Sequence, residues 1–278
     1  ELVNAMAPAA EYSFNKSHSA SYAISAQQNM YLKHYHPADY AAAYLTRTRN
    51  EEKKAKKGTT GENKVLKYIN MAKHEMGLEV IRPDINKSGF GWRVVDDNTI
   101  AASLNFIKGV GDSAAPIIEQ FQPYTSIGDF FAKDITWARV NKKVMEALIK
   151  TGAFDSLYPH RQTLLAAYTK WNANKKQGTY EEKKAFFEKR LTDIEHDIGL
   201  VDFDDDQKLE IELELFGFYF SGSPMDKYEK VIKKLKLKSI VDLTKSKRWK
   251  KGSTYGVLTK VHEHKTKKEN TMCFLGLS

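Results

Sequence analysis

Residues 106–118, FIKGVGDSAAPII, place two glycines, Gly109 and Gly111, between an apolar run and a helix-like pattern. Glycine adopts positive φ easily and lets a ligand approach the backbone closely. Amide groups at the start of the following helix point outward together, and such grouped donors favour a phosphate. Lys108 adds a mobile positive charge beside them. The stretch therefore predicts either a tight turn that needs positive φ or a turn that holds a phosphate.

Apolar and small residues around the two glycines favour the phosphate-holding turn. They can bracket a tight turn between two short helices, with small residues where the helices cross: Leu104, Ile107, Val110, Ala114 and Ile118. This is the helix-hairpin-helix pattern, which contacts the DNA backbone without reading bases. We therefore predict DNA contacts along the turn, at Lys108, Gly109, Val110, Gly111, Asp112 and Ser113.

A second, degraded copy of the pattern is predicted about forty residues further on, in VMEALIKTGAFDSLYPHRQTLL (144–165). An apolar helix leads into a turn at Gly152, and a second helix begins near His160. Two hairpins would contact the backbone at two points and strengthen a salt-dependent grip. The predicted contacts are Gly152, Ala153 and Arg161. The alternative is a single helix that Gly152 caps.

Length and composition indicate an intracellular chain of two or three compact domains. The 278 residues contain a single cysteine, Cys273, which excludes a disulfide framework and a thiolate zinc site. The sequence has no apolar run long enough to span a membrane and no signal peptide. Because the first residue is Glu1 rather than methionine, we expect a processed or excised piece. We therefore expect a cytoplasmic protein with no membrane partner.

Charge is unevenly distributed along the chain. From Lys233 to Lys268 there are 13 basic residues against Asp242 and Glu263, a local net charge of +11. From Glu181 to Glu214 there are 13 acidic and 5 basic residues, a local net charge of −8. This segregation favours a polyanion as partner. The alternative interpretation is that the charge runs are solvated helix faces.

The periodicity of the remaining sequence predicts a mostly helical chain that ends in strands. Residues 14–45 read as two helices, the second beginning at Pro37, and a further helix ends at Gly77. LEVI (78–81) and WRVVDDNTIAASL (92–104) read as a strand and a hairpin. The other predicted segments are a polar loop (50–63), a helix from about Asn141 to Gly152, an acidic linker DFDDDQ (202–207), two helices broken at 221–224, and two strands joined by the turn KTKKEN (265–270).

Polar residues at the start of the first predicted helix form a weaker candidate site, namely Asn15, Lys16, Ser17 and His18. Positive charge beside free amides can hold a phosphate, whereas Asn and Ser there are also ordinary helix caps. The sequence contains no nucleophile arrangement and no phosphate-binding loop of the Gly-Lys-Ser/Thr type. The carboxylates at 96–97 and 204–206 fall in a turn and in the acidic linker. We therefore predict no catalytic residue and no metal ligand in this chain.

Several stretches together resemble the C-family DNA polymerases, the alpha subunits of bacterial replicative DNA polymerase III. They are FNKSHSASYAISAQQNMYLKHYHPADYAAAYL (14–45), MGLEVIRPDIN (76–86), AASLNFIKGVGDSAAPIIE (101–119), VNKKVMEALIKTGAFDSLYPHRQTLLAA (140–167) and LELFGFYFSGSPMDKY (213–228). Their order and spacing run over about four fifths of the chain. Ser223 stands where the family has histidine before proline, and residues between Phe154 and Asp206 match only loosely.

The resemblance implies a mostly α fold, with a helical fingers segment and a tandem helix-hairpin-helix domain, followed by the first strands of an incomplete OB-type β barrel. The implied divisions are 1–80 for the C-terminal part of the fingers, 81–103 for a strand connector, 104–175 for the tandem hairpins, 176–235 for a helical acidic connector, and 236–278 for a basic segment and the start of the barrel. The family's palm domain, with its metal-binding carboxylates, would precede Glu1.

By resemblance, the chain is the DNA-binding portion of a replicative polymerase at the replication fork. Its implied partners are duplex and template DNA, the rest of the polymerase including the palm, and a sliding clamp. GLVDF (199–203) is a candidate clamp peptide, although it lacks the leading glutamine. Mg²⁺ is implied for the parent enzyme and no cofactor for this chain. The alternatives are a stand-alone DNA-binding or clamp-tethering protein, and one half of a split polymerase.

Overall fold

A computed structural model describes residues 16–54, 64–135, 137–173, 178–238, 243, 253–265 and 271–277 of the chain. The α-helices are α1 Lys16–Tyr35, α2 Pro37–Lys54, α3 Lys64–His74, α4 Ala115–Gln120, α5 Ile127–Ala132, α6 Lys142–Lys150, α7 Arg161–Ala173, α8 Tyr180–Ile198, α9 Asp205–Phe216 and α10 Glu229–Lys234. The strands are β1 Glu79–Ile81, β2 Arg93–Asp96, β3 Thr99–Ala101, β4 Leu258–Lys265 and β5 Thr271–Leu277. Short 3₁₀ turns occupy Leu104–Phe106 and Asp226–Tyr228. The prediction of a mostly helical chain followed by the start of a β region is confirmed.

The N-terminal helices differ sharply in how much surface they bury. Helix α1 buries none of its side chains within the described structure. Helix α2 begins at Pro37, as predicted, because proline lacks the amide hydrogen that the first helical position leaves unused. Its buried face is formed mainly by small residues, Ala38, Ala41 and Ala42, with Leu45. These small side chains let neighbouring backbone approach α2 closely. The part of the polar loop at 55–63 lies outside the described residues.

A three-stranded sheet follows α3, in the order β1–β3–β2. Strands β2 and β3 pair antiparallel, which confirms the predicted hairpin, and β1 pairs parallel to β3. Ile100, at the centre of β3, is completely buried. The sheet therefore carries the chain from α3 to the 3₁₀ turn that enters the glycine-rich stretch.

Aromatic packing holds the central helices together. Phe131 on α5 stacks on Phe187 of α8 with ring centroids 3.7 Å apart, and Trp171 of α7 meets Phe131 edge-on at 4.8 Å. Phe130 packs edge-on against Phe154 at the same centroid distance of 4.8 Å. Edge-to-face and offset stacked pairs add about 1 kcal/mol each to the burial of the rings. The helices around residues 127–198 therefore share one core.

Residues 202–207, predicted as an acidic linker, instead contain the start of α9, and this prediction was wrong. Asp204 is the N-cap of α9, and its side chain accepts a hydrogen bond from the Gln207 amide in a capping box. Carboxylates stabilise a helix at its N-terminus, so a cluster of aspartates can begin a helix. Helix α9 ends at Gly217, whose φ of 83° is left-handed.

A buried carboxylate turns the chain back after α9. Glu212 is 1% exposed and accepts hydrogen bonds from the Phe220 amide at 2.6 Å and the Ser221 amide at 3.0 Å. The Ser221 hydroxyl also donates to Glu212. These bonds satisfy a charge that would otherwise be unstable inside the protein. Glu212 therefore folds residues 218–221 against the helix that precedes them.

Strands β4 and β5 form an antiparallel hairpin whose register runs from Leu258 opposite Leu277 to Lys265 opposite Thr271. Apolar side chains on this hairpin are exposed, among them Val261, Phe274 and Leu275. Residues 266–270 of the predicted connecting turn lie outside the described structure. An OB-type barrel built on this hairpin remains an expectation. Among the described helices, none has the length and apolar character needed to cross a membrane.

Asp129 joins α5 to the start of α8. Its carboxylate is buried and accepts hydrogen bonds from the Thr125 amide at 2.8 Å and the Tyr180 hydroxyl at 2.7 Å. Burial would raise the pKa of Asp129, but the hydrogen bonds from Thr125 and Tyr180 lower it below its ordinary value. The same hydrogen bond raises the pKa of Tyr180 to about 12. Asp129 is therefore stable in its charged form.

Asp129→Asn should lower the free energy of unfolding at pH 7 by about 2 kcal/mol, the typical value of hydrogen bonds to a charged group. A carboxyl group whose pKa is lower in the folded than in the unfolded state stabilises the fold at pH values above its unfolded pKa of about 4. This stabilisation is lost as the pH falls through the pKa of the folded state. The difference in the free energy of unfolding between Asp129→Asn and the parent should therefore become smaller below about pH 4. Urea denaturation across pH measures it, with the exposed Asp134→Asn as control. An equal difference at every pH would contradict the assignment.

Candidate nucleic-acid interface

The first hairpin loop, residues 108–113, lies on the surface between the 3₁₀ turn and α4. Lys108, Gly109 and residues 111–113 are exposed, whereas Val110 is only 3% exposed. Ile107, just before the loop, is completely buried. Two apolar side chains therefore anchor the loop, and its backbone faces solvent on both sides of Val110.

The two glycines of the loop serve different purposes. Gly109 has φ +102°, which side chains rarely adopt, while Gly111 has no positive φ. A β-carbon at Gly109 would lie 3.5 Å from Cε of Lys143 and 4.0 Å from Cβ of Ala147. A β-carbon at Gly111 would meet nothing closer than the Ser113 hydroxyl oxygen at 4.0 Å. Gly109 therefore provides the turn, and Gly111 leaves open space over the backbone.

Several backbone amides of the first hairpin loop remain available to a ligand. Lys108 N donates to the Leu215 carbonyl at 2.8 Å, and Val110 N donates to the Ile107 carbonyl at 3.0 Å. Within the described part of the chain, no acceptor is bonded to the amides of Gly109, Gly111 and Ser113. Because α4 has only six residues, its dipole is small, and loop amides rather than a helix terminus supply the donors.

Lys143, which the sequence interpretation missed, extends the positive charge of the first hairpin loop. It lies on α6, and its side chain packs over Gly109. Neither Lys108 nor Lys143 forms an ion pair with another described residue. No local signal could reveal Lys143, because it lies in a different helix and approaches the loop only in the folded chain.

The three residues predicted to contact DNA in the second hairpin are buried. Gly152 has φ +78°, and its amide donates to the Ile149 carbonyl at 3.0 Å. Ala153 is completely buried, and Arg161 is 3% exposed. The Arg161 guanidinium donates to Asp155 at 3.0 and 2.7 Å. These residues form a packed turn closed by an ion pair, so none of the three offers DNA an exposed group.

Close packing explains why Gly152 is glycine. A β-carbon at this position would lie 2.3 Å from Nη2 of Arg161. Arg82, after β1, also pairs with Asp155 at 2.5 Å. The turn therefore ties the sheet to α7, which corresponds to the capped-helix alternative for this segment.

The N-terminal candidate residues lie at the exposed start of α1, except Asn15, which is outside the described residues. Lys16 and Ser17 are exposed, and His18 is half-buried. The His18 ring lies 4.5 Å from the Tyr22 ring. All three residues are at least partly accessible at this end of the helix.

Carboxylates are not grouped for metal binding in this structure. Among the described residues, no three His, Cys, Asp or Glu side chains are close enough together to hold a metal ion.

The candidate clamp peptide 199–203 is bonded to the start of α7. Thr163 N donates to the Val201 carbonyl at 3.2 Å, and Val201 N donates to the Thr163 hydroxyl at 2.8 Å. The Thr163 hydroxyl in turn donates to the Gly199 carbonyl at 2.8 Å. A partner that bound this segment as an extended strand would have to displace these bonds.

Comparison with known proteins agrees with the geometry of the first hairpin loop. Residues 77–164 match a helix-hairpin-helix motif family. The DNA polymerase III subunit alpha of Aquifex aeolicus is 34% identical over 272 residues, covering 96% of this chain and 21% of that protein. This chain belongs to the family of bacterial DNA polymerase III alpha subunits.

Other alpha subunits show the same relationship. That of Borreliella burgdorferi is 31% identical, with 100% of this chain and 24% of that protein covered. That of Thermus aquaticus is 33% identical, with 79% of this chain and 17% of that protein covered. The chain thus spans about a sixth to a quarter of the length of these alpha subunits. The family and the motif together support a DNA-binding portion of a polymerase.

The two glycines of the loop provide a matched test of this geometry. Gly109→Ala should lower the free energy of unfolding by about 1–2 kcal/mol, because alanine is strained at positive φ. Gly111→Ala should leave it within about 0.5 kcal/mol of the parent, since its backbone is unstrained and the space is open. Thermal and urea denaturation of both variants measure the difference. Equal destabilisation of the two would show that the turn is different in solution.

Proposed function

We propose that this chain grips the sugar–phosphate backbone of DNA for a template-directed DNA polymerase, without sequence preference. The observation that carries the proposal is the exposed loop whose amides at Gly109, Gly111 and Ser113 donate to no acceptor among the described residues. Lys108 and Lys143 lie beside it and form no ion pair within the same part of the chain. Amide hydrogens bond phosphate oxygens regardless of the attached base. The match of residues 77–164 to a DNA-binding type of motif supports the same role.

The loop amides and the lysines would contribute in different ways. Amide donors at fixed positions define where a phosphate binds, while Lys108 and Lys143 add long-range attraction and displace counterions. Backbone contacts of this kind let a polymerase translocate along any sequence. Gly111 is the point at which a DNA strand could come closest, because no side chain covers its backbone.

The activity of the whole enzyme is part of the proposal. The parent reaction would be template-directed addition of deoxynucleotides, with Mg²⁺ held by carboxylates of a palm domain outside this chain. We assign Lys16, Ser17 and His18 to the template or nucleotide side, since they lie at the exposed start of α1. A sliding clamp is a further proposed partner, and the cytoplasmic replication fork is the proposed location.

Gly111→Val should weaken binding to duplex DNA about tenfold or more, because the added side chain occupies the space that a phosphate needs. To keep the basic C-terminal stretch from dominating, both proteins carry Lys245→Gln, Lys247→Gln, Arg248→Gln, Lys250→Gln and Lys251→Gln, which we call the tail-neutral background. Fluorescence anisotropy with unrelated duplex sequences measures affinity.

Gln120→Val, at the exposed end of α4, is the matched control and should bind like its parent. The melting temperature of Gly111→Val should stay close to that of the parent, since φ at this position is not positive and a β-carbon there meets nothing closer than the Ser113 hydroxyl oxygen at 4.0 Å. If folded Gly111→Val binds duplex DNA as tightly as its parent, the glycines form only a turn and the proposal fails.

Lys108→Ala and Lys143→Ala should each reduce the slope of log affinity against log salt by about one. The affinity loss should be similar for all DNA sequences, because the contacts are to phosphate. Lys189→Ala, an exposed lysine on α8, is the control and should leave the slope unchanged. The tail-neutral background and several salt concentrations are used. A slope unaffected by Lys143→Ala would remove Lys143 from the interface.

A further inference from the structure

A side-chain hydrogen bond closes the first hairpin loop across its base. Asn105, in the 3₁₀ turn before the loop, donates from Nδ2 to Oδ1 of Asp112 at 2.9 Å. Asn105 is 3% exposed, whereas Asp112 is exposed. The bond therefore ties the end of the loop to a residue fixed in the core.

Asn105 is itself held from the side of α2. Nη2 of Arg49, near the end of α2, donates to the Asn105 carbonyl at 3.1 Å. The Arg49 guanidinium also lies 5.4 Å from the ring centroid of Phe106, a cation–π distance. The position of Asn105, and through it that of Asp112, thus depends on α2.

A direct DNA contact is a poor role for Asp112. Its carboxylate lies in the same loop as the amides of Gly111 and Ser113, where a phosphate would repel it. Its side chain accepts a hydrogen bond from a buried, positioned donor, Asn105. A carboxylate that orders the loop accounts for this arrangement better than one that binds an anion.

We propose that Asp112 is a positioning residue, which holds the first hairpin loop through Asn105 so that the loop amides face a DNA phosphate, and that Arg49 sets this position from α2. The proposal rests on the proposed DNA contact of the loop. It replaces the sequence-based prediction of a direct DNA contact at Asp112. It also makes Arg49 of α2 part of the DNA-binding machinery, although α2 lies outside the loop.

Two substitutions at Asp112 separate its charge from its hydrogen bond. Asp112→Asn removes the negative charge and keeps a side-chain oxygen that accepts from Asn105. Asp112→Ala removes both. Because the two variants have the same net charge, long-range attraction to DNA is equal, and any difference in affinity reports the hydrogen bonding of the side chain at position 112. The Asn105 variants then test whether Asn105 is the partner that matters.

In the tail-neutral background, Asp112→Asn should bind duplex DNA at least as tightly as its parent. Asp112→Ala should bind about fivefold more weakly than Asp112→Asn, the factor that corresponds to one neutral hydrogen bond of about 1 kcal/mol. The two salt slopes should agree. Affinities are measured by fluorescence anisotropy at a temperature at which circular dichroism shows both variants fully folded.

Asn105→Ala tests the other end of the bond. It should weaken binding by a similar factor, and Asn105→Ala combined with Asp112→Ala should add no further loss, because both changes remove the same interaction. If Asn105→Ala does not fold, the Asp112 pair decides alone, since Asp112 is exposed.

Equal affinities of Asp112→Asn and Asp112→Ala, or tighter binding by Asp112→Ala, would overturn the positioning role. A loss in Asp112→Asn as large as in Asp112→Ala would also overturn it, because the charge itself would then be needed. Gly111→Val distinguishes the two proposals. If Gly111→Val weakens binding while Asp112→Asn and Asp112→Ala bind with equal affinity, only the positioning role of Asp112 is disproved. If Gly111→Val binds as tightly as its parent, the proposed DNA contact of the loop is disproved.

Discussion

The burial of Phe106 is the constraint on which the candidate site depends. Its ring packs against Trp92 at 5.6 Å and Phe218 at 5.8 Å, stacks with Phe216 at 6.0 Å, and lies beneath the Arg49 guanidinium. Fully burying a ring of this size stabilises the fold by about 2–3 kcal/mol. Because Phe106 stands two residues before Lys108, the position of its ring determines where the first hairpin loop leaves the core.

Elements from distant parts of the chain meet at this ring. Helix α2 contributes Arg49, the loop before β2 contributes Trp92, and the end of α9 contributes Phe216. The Leu215 carbonyl also accepts the Lys108 amide, so the end of α9 orients the first residue of the loop. A groove of about 500 Å³ remains between these elements, alongside Gly109 and Val110. The loop is thus a small exposed backbone segment on a rigid base, the arrangement that a preorganised phosphate contact requires.

Local patterns made part of this arrangement predictable. Gly109 and Gly111 could be found because a turn is decided within a few residues, and Asn141 and Gly77 mark helix ends for the same reason. The two hairpin segments, however, look alike in sequence and differ in burial. Gly152 has a positive φ, as Gly109 does, yet Gly152 is buried beneath Arg161, which pairs with Asp155. Burial depends on what packs over a turn, and that information lies elsewhere in the chain.

The sequence by itself determined the helical class, the strand hairpins, the glycine turn with Lys108 and the resemblance to a polymerase family, because each depends on spacing over short windows. Tertiary structure alone decided which amides stay free, that Lys143 reaches Gly109, and that Asn105 holds Asp112. The physical reason is that hydrogen bonding and burial are properties of pairs of groups. When the two groups of a pair are separated by whole helices, only the folded chain determines whether they meet.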